Sequence, residues 1–188
     1  MNVMQGFQTQ AYTYRPPYAQ AARAATRAKL MPEDQSTEMS PGWVKGGDRD
    51  QDFWEKAVYK DAAPLIGTEF LSWVDGRADD AGPFFAYLNF MEAHTPRIPS
   101  RSARERILEA ERLKRGLEVD QSLFTEVAWI VGAHEYEDGD LDAIQGVYDA
   151  TLLDLDDATH TLFNGLRDRG LLDNTIVVVL SDHGESLG

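Results

Sequence analysis

Cysteine is absent from all 188 residues. Disulfides, thiolate metal ligands and a cysteine nucleophile are therefore excluded together. Lysine is scarce as well: it supplies five of the 18 basic residues, against 32 Asp plus Glu, and the net charge is −14. Such a surface repels nucleic acid, whose binding needs basic patches that displace counterions. Long apolar runs are missing too. Ile176 to Leu180 falls far short of the ~20 residues a membrane-spanning helix requires. Met1 to Gln10 shows no basic segment followed by an apolar one, so no secretory leader is expected and the cytoplasm is the default location. Neither a Gly-x-Ser-x-Gly elbow nor a Gly-rich phosphate loop occurs.

What remains is a globular composition, with 43% hydrophobic residues and four Trp. An aspartate-rich, lysine-poor surface suits multimolar salt, where screening shortens self-repulsion to a few ångströms. A salt-adapted protein of this kind should melt higher in about 3 M than in about 0.1 M KCl.

Residues 1–60 read as a weakly organised segment. Tyr12, Tyr14, Pro16, Pro17 and Tyr18 form a turn-rich start, Ala19 to Leu30 has helical composition, and Pro32 to Gly47 reads as loop. From Asp48 the chain becomes more regular. Asp61 to Val74 spaces Ala63, Ile66, Phe70 and Trp73 as one face of an amphipathic helix, with Pro64 tolerated in its first turn. Ser102 to Leu117 reads as a charged helix. Leu141 to Arg169 keeps Leu141, Ile144, Tyr148, Leu152, Leu155, Thr159, Leu162 and Leu166 on one face, with Asp140 as expected N-cap and Gly170 as stop. Asp154, Asp156 and Asp157 fall mostly on its wet side. Two apolar runs without alternation, Phe84 to Phe90 and Thr175 to Leu180, read as strands covered on both faces. Strands separated by helices predict an α/β fold with a mostly parallel sheet flanked by helices, which binds ligands beyond the carboxyl ends of its strands.

Polar residues gather at those ends. His94 follows the first run; Asp182 and His183 follow the second. A carboxylate beside an imidazole suits a divalent cation, provided the backbone bends so that both side chains face one way; Gly184 makes such a bend cheap. His94 is placed to protonate a leaving oxygen or hold an anionic ester. His134 and His160 read as solvent-facing or structural.

Taken in order, these segments resemble the sulfatases of the alkaline-phosphatase superfamily. Pro83 to Phe90 leading into His94-Thr95-Pro96 resembles the family's buried strand and His-x-Pro loop. Tyr148 to Asp157 and Gly170 to Thr175 resemble its helix and turn, and Ile176 to Glu185 resembles its metal-binding strand end. The resemblance covers roughly Asp61 to Gly188 and implies a partial sulfatase-like α/β domain over 61–188, with an alkaline-phosphatase-like core incomplete at both ends. The salt-adapted composition fits a haloarchaeal member. Asp182 and His183 would be two ligands of one divalent cation, Ca²⁺ by family habit, with Mg²⁺ or Mn²⁺ as alternatives. His94 would contact the sulfate ester or assist departure of the alcohol.

The family's Cys/Ser-x-Pro-x-Arg nucleophile motif and its upstream aspartate pair have no counterpart in Met1 to Lys60. Arg97-Ile98-Pro99-Ser100-Arg101 echoes the motif only with Arg at the nucleophile position, and reads as coincidence. The expected function is thus a metal-dependent sulfuric ester hydrolase represented by a chain inactive alone, acting on a small sulfate or phosphate ester without nucleic-acid or membrane partners. Rival readings are a phosphodiesterase, phosphonate hydrolase or phosphoglycerol transferase of the same superfamily, and a non-catalytic acidic remnant or pseudoenzyme.

Overall fold

The structure, a computed structural model, describes residues 9, 11–12, 15–30, 62–78, 81–95, 97–121, 123–185 and 187. The expected loop at 32–47, the regular stretch beginning at Asp48, and Tyr14, Asp61, Asp79, Asp80 and Pro96 lie outside them. Six α-helices are formed among the described residues: α1 Ala19–Leu30, α2 Ala62–Asp75, α3 Arg101–Ile107, α4 Ala110–Glu118, α5 Leu123–Ile130 and α6 Asp140–Asp168. A 3-10 turn, Leu172–Asn174, follows α6. No described helix is long and apolar enough to cross a membrane.

The organising element is α6. Its 29 residues span about 44 Å at 1.5 Å per residue, and α2, α3 and α4 all pack along it. Its start differs from the sequence expectation. The N-cap is Gly139, at φ 87°, and Asp140 is the first helical residue. Asp140 is buried instead, accepting a bond from the Glu137 amide at 2.8 Å and pairing with Arg115 Nε at 2.5 Å. Its end matches expectation. Gly170 has φ 67°, its amide donates to Arg167 O, and the Leu171 amide donates to Leu166 O. These two bonds form a Schellman cap, and the left-handed residue they require favours glycine.

The buried stripe of α6 is also wider than the leucine pattern suggests. Leu152 is 39% exposed, whereas Ala143, Val147, Ala150 and Thr151 are all buried. Small residues win because neighbouring helices come close. A Cβ added at Gly116 of α4 would lie 2.6 Å from Val147 Cγ2, and one at Gly146 would collide with the end of Leu108. Leu108 explains a second difference. The expected single helix over Ser102 to Leu117 is broken into α3 and α4, because Leu108 turns to extended backbone and buries its side chain against α6.

α1 is fastened by side chains. Tyr18 donates to Glu69 of α2 at 2.9 Å, and Lys29 lies 3.4 Å from Asp154 of α6. Arg104, 2% exposed, donates to Lys29 O at 3.2 Å, and burial pushes its guanidinium pKa down to about 10. Asp154, expected on a wet face, is an internal anchor. It accepts from Ser100 N at 2.5 Å and Ser100 Oγ at 2.6 Å, and Ser100 Oγ in turn caps α3 at the Ala103 amide. Asp156 and Asp157 are exposed as expected.

The fold class needs correction. The expected α/β architecture, a mostly parallel sheet with an alkaline-phosphatase-like core, is not what forms: the described residues are helical, and no strand or sheet occurs among them. Residues 84–90 and 175–180 are irregular rather than strands. Phe85 is 78% exposed and Ile176 94%. An unbroken apolar run reports that a segment favours extended backbone and cover on both faces. It does not supply that cover, and here the helices bury their own faces against α6 instead.

Candidate functional site

Two non-helical segments lead to the candidate residues. The first is held at its start by aromatic packing. The Phe84 ring meets Phe70 at 5.8 Å and Trp73 at 5.6 Å, and the Arg77 guanidinium lies over both Trp73 and Phe84. At its end, residues 92–95 turn. Glu92, 2% exposed, accepts from the Ala63 amide at the start of α2 at 2.5 Å. Thr95 Oγ1 lies 3.0 Å from Gln121 O and 3.1 Å from Glu126 Oε1 of α5. His94 is thereby set on a loop tied to two helices. Its Nδ1 is 2.7 Å from Thr95 O, an arrangement that keeps the proton on Nδ1 and turns Nε2 into the acceptor of the neutral ring.

The second segment leaves the 3-10 turn, where Thr175 Oγ1 donates to Leu171 O at 2.7 Å. It runs exposed to a bend at Asp182 and His183. This bend falls on the two candidate residues themselves, one position before Gly184. Ser181 Oγ donates to His183 O across it. His183 Nδ1 is 2.7 Å from Gly184 O, which again fixes the proton on Nδ1, and Nε2 lies 3.9 Å from Asp182 Oδ1. The carbonyl of Gly184, and after it the charge of Asp182, hold the His183 pKa above its ordinary value.

The two segments converge. The His94 and His183 rings lie edge to face, centroids 5.9 Å apart and planes at 80°. His134 and His160 are exposed; the His134 ring packs on Tyr136 at 4.9 Å, apart from this pair. A cleft of about 330 Å³ between α1, α2 and α6, lined by Lys29, Leu71, Glu92, Asp154 and Leu162 among others, includes none of His94, Asp182 and His183.

Among the described residues no group of three or more His, Asp or Glu side chains is arranged to hold a metal ion. Asp182 and His183 do suit a divalent cation by donor chemistry: a hard carboxylate oxygen and a neutral imidazole nitrogen, 3.9 Å apart. They fit as two members of a set that needs at least about four. Sequence reasoning missed the residues that bracket the site. Arg97, set aside as a coincidental echo, is buried between Glu126 and Glu185. Its only signal was a charged residue between two prolines, Pro96 and Pro99, beside Ile98.

A family model described as Sulfatase matches residues 5–188. No curated protein and no solved structure matches the chain. Sulfatases typically use a divalent metal and act on sulfate esters. With nearly its whole length matched, this chain belongs to the sulfatase family.

Proposed function

We propose that the end of the molecule carrying His94, Asp182 and His183 is the ester-binding end of a sulfuric ester hydrolase. The observation that carries this reading is the His94–His183 ring contact at 5.9 Å, made between residues far apart in the chain. Asp182 and His183 would hold a divalent cation, Ca²⁺ first and Mg²⁺ or Mn²⁺ as alternatives. Bound there, such an ion supplies positive charge to the oxygens of a tetrahedral ester. When its ring is neutral, His183 presents Nε2 as the ligand atom, because the Nδ1 proton is engaged by Gly184 O. His94 would face the ester through Nε2. It can deliver a proton to a leaving alcohol from that atom only as the imidazolium, since Nδ1 is committed to Thr95 O.

The nucleophile is the weak member. The chain has no cysteine, and the hydroxyls nearest in sequence are otherwise engaged: Thr95 Oγ1 with Gln121 O and Glu126, Ser181 Oγ with His183 O. This chain alone should therefore bind metal weakly and not turn over ester. The test combines Mn²⁺ titration with assays on p-nitrophenyl sulfate and bis-p-nitrophenyl phosphate under Ca²⁺, Mg²⁺ or Mn²⁺. Weak Mn²⁺ binding that Asp182→Ala abolishes, without turnover, is the expected result. Binding indifferent to Asp182→Ala would remove the metal role. Turnover that Asp182→Ala abolishes would overturn the inactivity, and the preferred substrate would then separate sulfate from phosphoryl chemistry.

A further inference from the structure

Arg97 is a fully buried charged side chain near the candidate site, with 0% side-chain exposure. Its Nη1 lies 2.8 Å from Glu126 Oε1 of α5, and its Nη2 lies 2.6 Å from Glu185 Oε2. The guanidinium carbon sits 5.6 Å over the Tyr148 ring of α6. Nε has no hydrogen-bond partner among the described residues. Withdrawing a cation from water in this way is costly unless opposite charges compensate, and two carboxylates at hydrogen-bond distance do so here. The planar fork allows both at once, one per terminal nitrogen; a lysine ammonium would lack that geometry.

The two carboxylates have different consequences. Glu126 Oε1 also accepts from Thr95, the neighbour of His94, so this arm fixes the His94 loop to α5. Glu185 lies two residues beyond His183, at the end of a stretch, 176–184, that is exposed throughout. The second arm therefore bears on where His183 lies rather than on the helical core.

We infer that Arg97 is a positioning residue: by gripping Glu185 while anchored to Glu126, it holds the Asp182–His183 bend against His94. The inference rests on the reading of that end as the ester site, but its geometry can be tested without metal or substrate. The probe is the nuclear Overhauser effect between the His94 and His183 ring protons in the metal-free chain. In Glu185→Gln the cross-peak should fall at least severalfold while helical circular dichroism and Tm stay unchanged, because an amide oxygen accepts from the guanidinium without the charge that makes this bond strong. Glu185→Asp, which keeps the charge, should restore part of it. Arg97→Ala should lose the cross-peak and lower Tm together. If that variant does not fold, the two Glu185 variants carry the test alone. An undiminished cross-peak in Glu185→Gln overturns the inference, as does an equal loss of cross-peak in Glu185→Gln and Glu185→Asp. Mn²⁺ titration of the same samples keeps the two ideas apart: absent metal binding with a Glu185-dependent cross-peak removes the metal role and leaves the positioning intact.

Discussion

The helical body and the two segments that carry His94 and His183 both contain apolar side chains, yet these meet opposite fates. Along α6, Ala143, Ile144, Val147 and Ala150 are at most 4% exposed. Along residues 176–180, Ile, Val and Leu side chains range from 42% to 94% exposed. The body is held by close apolar packing between helices. The segments are held at a few points: a ring cluster at Phe84, a hydroxyl bond at Thr175, and the ion pair of Arg97 with Glu185. Stability should therefore be concentrated in α6 and its partners, while the candidate site should depend on single polar contacts.

Replacing a core side chain tests the first half of that contrast and should give the largest effect. Ile144→Ala removes a side chain that is 4% exposed and should lower unfolding free energy by about 2–4 kcal/mol, read from urea denaturation. A loss under about 1 kcal/mol would mean that α6 is not the centre of the core. Asp154→Ala comes next. It removes the carboxylate that accepts from Ser100 N and Oγ and should cost about 1–2 kcal/mol through the lost bonds and the loosened cap of α3. Ile176→Thr should do little. At 94% exposure the change should fall within about 0.5 kcal/mol, and a larger destabilisation would show that this segment is packed after all.

The same contrast explains how much could be read beforehand. Helix positions were legible because period and punctuation are local: the Ala63–Trp73 face, Pro64 in the first turn of α2, and the Gly170 stop all depend on neighbours in sequence. The sheet was misread because cover is not local. The runs ending at Phe90 and Leu180 resemble buried strands, and nothing within either run reveals whether a partner lies beside it. The stripe of Ala143, Gly146 and Ala150 was missed for a related reason, since close helix approach is set by the facing helix and not by hydrophobicity. At the site, polar residues at the ends of two apolar runs drew attention to His94, Asp182 and His183. Arg97 was passed over because its importance comes from Glu126 and Glu185, which are remote in sequence and meet only in the folded chain.

The smallest expected effect is the most informative about the site. His183 is half-exposed, with its pKa raised first by the Gly184 carbonyl and second by Asp182. A raised pKa in the folded chain means that the protonated ring is favoured there. That contribution is fully present below the unfolded value of about 6.5 and is lost as pH rises through the higher folded value. A cation needs the neutral ring, so Mn²⁺ affinity should climb with pH across the same raised midpoint. Ring-proton titration by NMR should place the midpoint above that of an unstructured histidine peptide. Asp182→Asn should bring it part of the way back and leave the remainder, because the bond to Gly184 persists when the charge is gone. A complete return to the peptide value would show that the Nδ1–carbonyl bond does not hold in solution, and with it would go the reason for expecting Nε2 to be the ligand atom.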